Sequence, residues 1–167
     1  MTQTSVNYGV FSGLTTFAFM IILYYCGLNP LGNWGWLGFW IPILFICLGT
    51  IHQKNKLQEG FITYGQGLWL GVLMTLVASF TSAVLVYALC EFLDKSLVER
   101  NIEEAMTGME KAKDFLSEEM YEKAVEAIEQ MTPREVAIGV FNSKLFGGLF
   151  VSLITAAVYR KVKPVFE

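Results

Sequence analysis

The sequence predicts an all-α integral membrane protein: a four-helix bundle with an extramembrane acidic helical hairpin between spans 3 and 4. Three observations predict it. Phe61–Leu93 is an apolar stretch with Glu91 as its one formal charge, and a bilayer core needs only about 20 helical residues to be crossed. Charged residues make up 16% of the chain and hydrophobic ones 54%, whereas about a quarter of a soluble domain is charged. The apolar residues also fall in long runs without the 3.6-residue alternation that a soluble helical core displays. The 167 residues are read as a single membrane domain, 1–167, with spans at 6–28, 34–51, 61–93 and 133–160 and an extramembrane arm at 94–131.

Span 1, Val6–Leu28, carries no charge. The Met1–Ser5 segment before it has no basic residue and the run is too long for a signal core, so it is read as a membrane helix and not a secretory leader. Gly9 and Gly13 form a G-x-x-x-G that lets a second helix approach closely, and Tyr24 and Tyr25 suit the headgroup level. Asn29–Asn33 is a turn, because Pro30 and Gly32 are poor continuations of a helix. Span 2, Trp34–Ile51, opens with Trp34, Trp36 and Trp40, which read as an aromatic belt, and Pro42 is expected to kink it.

His52–Gly60 is a polar link carrying Lys54 and Lys56. His52 is the lone histidine and has no second ligating side chain nearby, so it is read as a helix-end residue. Span 3 offers Gly65, Gly67 and Gly71 as a packing face, with Gln66 able to bond across helices. Span 4 begins at Thr132-Pro133-Arg134-Glu135, a capping box with proline at the first helical position. Two small-residue stripes, Gly139–Ser143–Gly147 and Gly148–Ser152–Ala156, predict that span 4 packs centrally. Arg160, Lys161 and Lys163 followed by Pro164 end it.

Net charge is −3, and its distribution matters more than its sum. Eleven acids oppose five bases between Asp94 and Met131. So acidic an arm repels nucleic acid and anionic headgroups, which leaves a nucleic-acid role without support. Val98, Ile102, Ala105, Met109, Ala112 and Leu116 step at helical spacing, and Ser117 caps a second helix with the stripe Met120, Ala124, Ile128 and Met131. The arm is therefore expected to be a helical hairpin standing on the bundle. The glutamate and lysine of the Glu119–Lys123 pair are one helical turn apart.

Bases at helix ends favour the cytoplasm. Lys54, Lys56, Arg160, Lys161 and Lys163 fall on one side of a four-span chain, so the termini are expected to be cytoplasmic and the acidic arm to be outside. Cys26, Cys47 and Cys90 lie in or at the ends of apolar runs and are read as small buried hydrophobes, with a Cys26–Cys90 bridge as the alternative.

Lys144 is a formal charge well inside span 4, and intramembrane charges are functional candidates. Two readings stand. Its stem snorkels to the outer surface, or it forms a polar site with Asn142, Ser143, Gln66 and Glu91. The sequence contains no nucleophile elbow, phosphate-binding glycine loop or metal-ligand motif. A non-enzymatic protein without a cofactor is expected.

Four features carry a family resemblance: V-N-Y-G-V-F-S-G-L at Val6–Leu14, G-F-I-T-Y-G-Q-G-L-W-L-G at Gly60–Gly71, the long Glu/Met/Lys-rich arm, and a small-residue last span ending in bases. With these the chain resembles the Bacteroidetes membrane family DUF4199. The resemblance implies an inner-membrane protein of the Gram-negative envelope, placed beside a membrane glycosyltransferase, and it brings no catalytic residues. Two functions follow as expectations. One is a non-catalytic accessory or scaffold subunit that packs on another membrane protein or on itself. The other is a small oligomeric protein that binds or transports membrane lipid or a solute, with Lys144, Asn142 and Gln66 lining a cavity.

Overall fold

The computed structural model describes residues 1–163, so Pro164, expected to close span 4, lies outside the described residues. Six α-helices follow one another: α1 (Thr2–Tyr25), α2 (Trp40–His52), α3 (Tyr64–Ala88), α4 (Ser96–Ala112), α5 (Glu118–Glu129) and α6 (Pro133–Tyr159). A 3-10 turn at Asn33–Gly38 leads into α2, and wide π turns prolong α2 through Gln53–Leu57 and α3 through Leu89–Leu93. Four helical stretches are long and apolar enough to cross a membrane: Thr2–Tyr25, Asn33–Leu57, Tyr64–Leu93 and Pro133–Tyr159. At ~1.5 Å per residue the shortest reaches about 36 Å, more than a hydrocarbon core of about 30 Å. The fold is an all-α membrane bundle, as the composition predicts.

The distribution of side chains is the reverse of a soluble core. Phe11, Phe80, Phe146 and Phe150 point outward, while Ser5, Ser12, Thr16, Thr75, Ser79, Ser82 and Ser152 are buried between the spans. Hydrocarbon solvates the aromatic exterior, so what holds the helices together is close approach and internal hydrogen bonding. Several buried hydroxyls satisfy themselves on their own helix: Thr16 donates to the Ser12 carbonyl at 2.7 Å and Ser152 to the Gly148 carbonyl at 2.7 Å.

The central helix is α3, not α6 as the small-residue stripes predict. It packs along α1 on one side and α6 on the other, with α2 closing the remaining face. Glycines set these distances. A methyl group at Gly9 would stand 2.7 Å from Val77 Cβ, and one at Gly13 2.7 Å from Thr81 Cβ. On the other side, one at Gly71 would stand 2.7 Å from Ser152 Cβ, and Gly148 faces Thr75. Gly67 lies against Ala156 and Gly147 against the Phe39 ring, but Gly139 has nothing within 4 Å.

Both ends of the bundle are pinned. At one end Ile62 and Lys161 exchange two backbone hydrogen bonds of 2.8 Å, Lys163 pairs with Glu59 at 2.8 Å, and Thr4 donates to Gln53 at 2.9 Å. At the other end the Thr132 capping box forms as its spacing predicts, with the Thr132 N–H donating to Glu135 at 2.6 Å. Span 3 starts later than Phe61, at a second capping box in which Thr63 and Gln66 satisfy each other's backbone amides.

The arm is a helical hairpin, α4 and α5, with Ser117 capping α5 and Glu119 pairing with Lys123 at 2.6 Å. Its root enters the bundle: Leu97 and Val98 are buried with Met20, Val86, Leu89 and Val136. The stripe expected on α5 is shifted, because Met120 is 60% exposed while Tyr121, Ala124, Val125 and Ile128 are half-buried. Pro42 falls in the first turn of α2, where no intrahelical amide is missed, and the chain bends before it, at the 3-10 turn. Cys26, Cys47 and Cys90 are free thiols, so the Cys26–Cys90 bridge is not formed.

Candidate binding groove

Because α1 and α6 lie on opposite flanks of α3, and α2 begins only at Trp40, the half of the bundle nearer the acidic arm is left open between α1, α2 and α6. A groove of about 310 Å³ fills this space. Phe19, Trp36, Phe39, Ile43, Val140 and Val151 give it apolar walls, and Leu31 and Gly32 of the turn after α1 with Asn101 and Met131 of the arm lie at its mouth. The volume is at the lower end of small-molecule sites, ~300–1,000 Å³.

Lys144 lines this groove and also a water-sized cavity of about 10 Å³ below it. At ~1.5 Å per residue it lies about 16 Å along α6 from Pro133. It is half-buried, lining both spaces. The described ion pairs are Lys123–Glu119 and Lys163–Glu59, and Lys144 belongs to neither. The carboxylate at the groove's rim, Glu135, is already engaged by the Thr132 amide and hydroxyl at 2.6 and 2.9 Å. An ammonium in this position has lost bulk water without gaining a counter-ion, and such a charge persists where it serves a function or meets a ligand.

The smaller cavity is ringed by hydroxyls from two helices, Ser12 and Thr16 of α1 and Thr75, Ser79 and Ser82 of α3. Ser12 is 3% and Ser79 1% exposed, and neither Oγ has a hydrogen-bond partner among the described residues. Sequence reasoning missed these residues. The signal was there: Ser5, Gly9, Ser12 and Thr16 recur at helical spacing within an otherwise greasy span.

The residues expected to join Lys144 are only partly brought together. Ser143 lines the groove with it. Asn142 is exposed on the outer side of α6. Gln66 is committed to the α3 capping box, about 20 Å along α3 from Ser79, which shares the Lys144 cavity. Glu91 sits half-buried in the π turn beyond α3 and does not line the groove.

The arm is tied down over the groove's mouth. Asn29 Nδ2 donates to Glu104 Oε2 at 2.8 Å and the Asn33 amide to Glu104 Oε1 at 2.7 Å. Tyr24 Oη donates to Asp94 at 2.9 Å, and hydrogen bonds from Ser96 and then Tyr24 hold the Asp94 carboxyl below its ordinary value.

These features define a class: a multi-pass, all-helical membrane protein whose arm-side half holds a groove lined by a lysine with no ion-pair partner among the described residues. The chain belongs to the family described as "Protein of unknown function (DUF4199)", which matches residues 7–161. Comparison with curated proteins finds no match, and comparison with solved structures finds none either. The two motifs that carried the resemblance have structural roles here. The first supplies Gly9 and Gly13 to the α1–α3 contact and Ser12 to the cavity; the second supplies Ile62 to the backbone bridge, the Thr63–Gln66 cap, and Gly67 and Gly71 to the α3–α6 contact.

Proposed function

We propose that this protein is a non-catalytic binding protein of the membrane, taking an amphipathic molecule into the groove between α1, α2 and α6. One observation carries the proposal: Lys144, within the apolar helix α6 and in none of the ion pairs among the described residues, lines a groove of about 310 Å³. Apolar walls with a few converging polar groups are the usual make-up of a small-molecule site. Purification in mild detergent followed by native mass spectrometry tests it. A homo-oligomer or monomer that retains an amphiphile, and loses it in Lys144→Met, is expected; an empty wild-type groove refutes it.

A second reading, an accessory subunit of a cell-envelope complex beside a membrane glycosyltransferase, is favoured by Gly139 and Ser143. Both are exposed on α6 along the open groove, where a Cβ added at Gly139 would meet nothing within 4 Å. They leave a small-residue face on which a partner span can pack. A stoichiometric second protein in the same purification supports this reading.

Lys54, Lys56, Arg160, Lys161 and Lys163 follow the ends of α2 and α6 that lie at one end of the bundle, opposite the acidic arm. The positive-inside rule then makes that end cytoplasmic and the arm periplasmic, in the inner membrane. A cysteine placed at Ser117 should react with an impermeant thiol reagent in intact spheroplasts; reaction only after permeabilisation reverses the topology.

A further inference from the structure

We infer that the inner end of the groove recognises an anionic oxygen, the carboxylate or terminal phosphate of a single-chain amphiphile; this rests on the binding reading above. The donor and acceptor inventory leads to it. Lys144 offers N–H donors and no acceptor. Ser12 and Ser79, buried and unpartnered, line the same cavity and each add an O–H. Two neighbouring hydroxyls are occupied: Thr16 donates to the Ser12 carbonyl at 2.7 Å, and Thr75 lies 3.5 Å from Ser152 Oγ. No carboxylate lines the smaller cavity, and Glu135 at the rim of the wider part is held by Thr132. The site therefore has surplus donors and a positive charge, and its complement is rich in acceptors and negative.

Size narrows the class further. The space around Lys144, Ser12 and Ser79 is about 10 Å³, enough for one oxygen-sized group and too small for a choline or sugar headgroup. The wider part, about 310 Å³ with apolar walls, accommodates a hydrocarbon chain. A compact acidic group on one chain fits both parts; a bulky headgroup on two chains fits neither.

Trp36 lines the groove and reports on it. The full chain in detergent is titrated with a bromine-substituted long-chain fatty acid, with the alcohol of the same chain and with lysophosphatidic acid, and quenching is read as the difference from Trp36→Phe. Acid or lysophosphatidic acid should quench at concentrations about tenfold or more below the alcohol. Lys144→Met should abolish that preference, so that acid and alcohol quench over the same concentration range. Where Lys144→Met does not fold, Ser12→Ala/Ser79→Ala takes its place and should narrow the preference several-fold. Equal quenching by acid and alcohol, unaltered by these variants, overturns anion recognition and leaves the groove's binding role intact. Absence of quenching by all three overturns both. Inorganic phosphate that displaces the bound acid at the concentrations at which lysophosphatidic acid binds overturns the chain-bearing ligand in favour of a free anion.

Discussion

The Glu104 carboxylate, on α4, reaches across to the turn between α1 and α2 and accepts a 2.8 Å hydrogen bond from Asn29 Nδ2, with the Asn33 amide on its second oxygen at 2.7 Å. This one side chain ties the acidic arm to the turn between α1 and α2 and so sets the height of the groove's mouth. Gly32 belongs to the same contact: a side chain there would collide with the Glu104 carboxylate.

Glu104→Ala should loosen the arm without unfolding the spans. Two charge-assisted hydrogen bonds disappear in a partly solvated setting, a loss of about 1–2 kcal/mol. Hydrogen exchange should rise in α4 and in the Asn29–Asn33 turn and remain unchanged in α3. Unaltered exchange in the turn would show that Glu104 does not hold it.

The arm's root should be acid-sensitive. Hydrogen bonds from Ser96 and Tyr24 favour the ionised Asp94 and lower its pKa from the ordinary 3.8. A lowered carboxyl contributes stability that is present above the ordinary value and is lost as pH falls through the folded value. Melting of wild type and Asp94→Asn should therefore differ at neutral pH and converge as pH drops below about 4. A gap that persists at low pH would assign the effect to something other than ionisation.

Gly71→Leu and Gly139→Leu should part company. The first drives a side chain into Ser152, whose Oγ would be 2.5 Å from the new Cβ. Overpacking at such a backbone contact costs ~1–3 kcal/mol or more. The second meets open space, so thermal stability in detergent should hold. Should Gly139→Leu nevertheless lose a co-purifying protein, the accessory reading gains its interface.

Ser12→Ala and Ser79→Ala should stabilise the empty protein or leave it unchanged. Each removes a buried hydroxyl that has no partner, and an unsatisfied buried polar group costs ~1–3 kcal/mol. A marked loss of thermal stability would mean that both hydroxyls are hydrogen-bonded in the free protein. These positions would then be structural, with no capacity left for a ligand.

The sequence alone determined the solvent and the punctuation. Apolar runs longer than a bilayer is thick require hydrocarbon around them, wherever the helices pack. Thr132-Pro133-Arg134-Glu135 starts α6 because capping is a contact between residues three apart. The Thr63–Gln66 cap was equally legible and places the start of α3 at Tyr64. The arm's periodicity found α4 and α5, though one residue of phase was lost at Met120.

Only the tertiary structure decided what the small and polar residues do. Glycine and serine stripes say that a face can be approached closely, and they occur on α1, α3 and α6 alike. Which helix becomes central depends on the pairing of all three, and that pairing chose α3. Lys144 illustrates the same divide. Its position near mid-span is a matter of counting, but whether its stem meets lipid or protein depends on the rotation of α6. Packing Gly148 against Thr75 fixes that rotation and places Lys144 on the wall of the cavity that Ser12 and Ser79 also line. Gln66 was taken from the same set by its own helix cap, a local contact that costs less to order than one across the bundle.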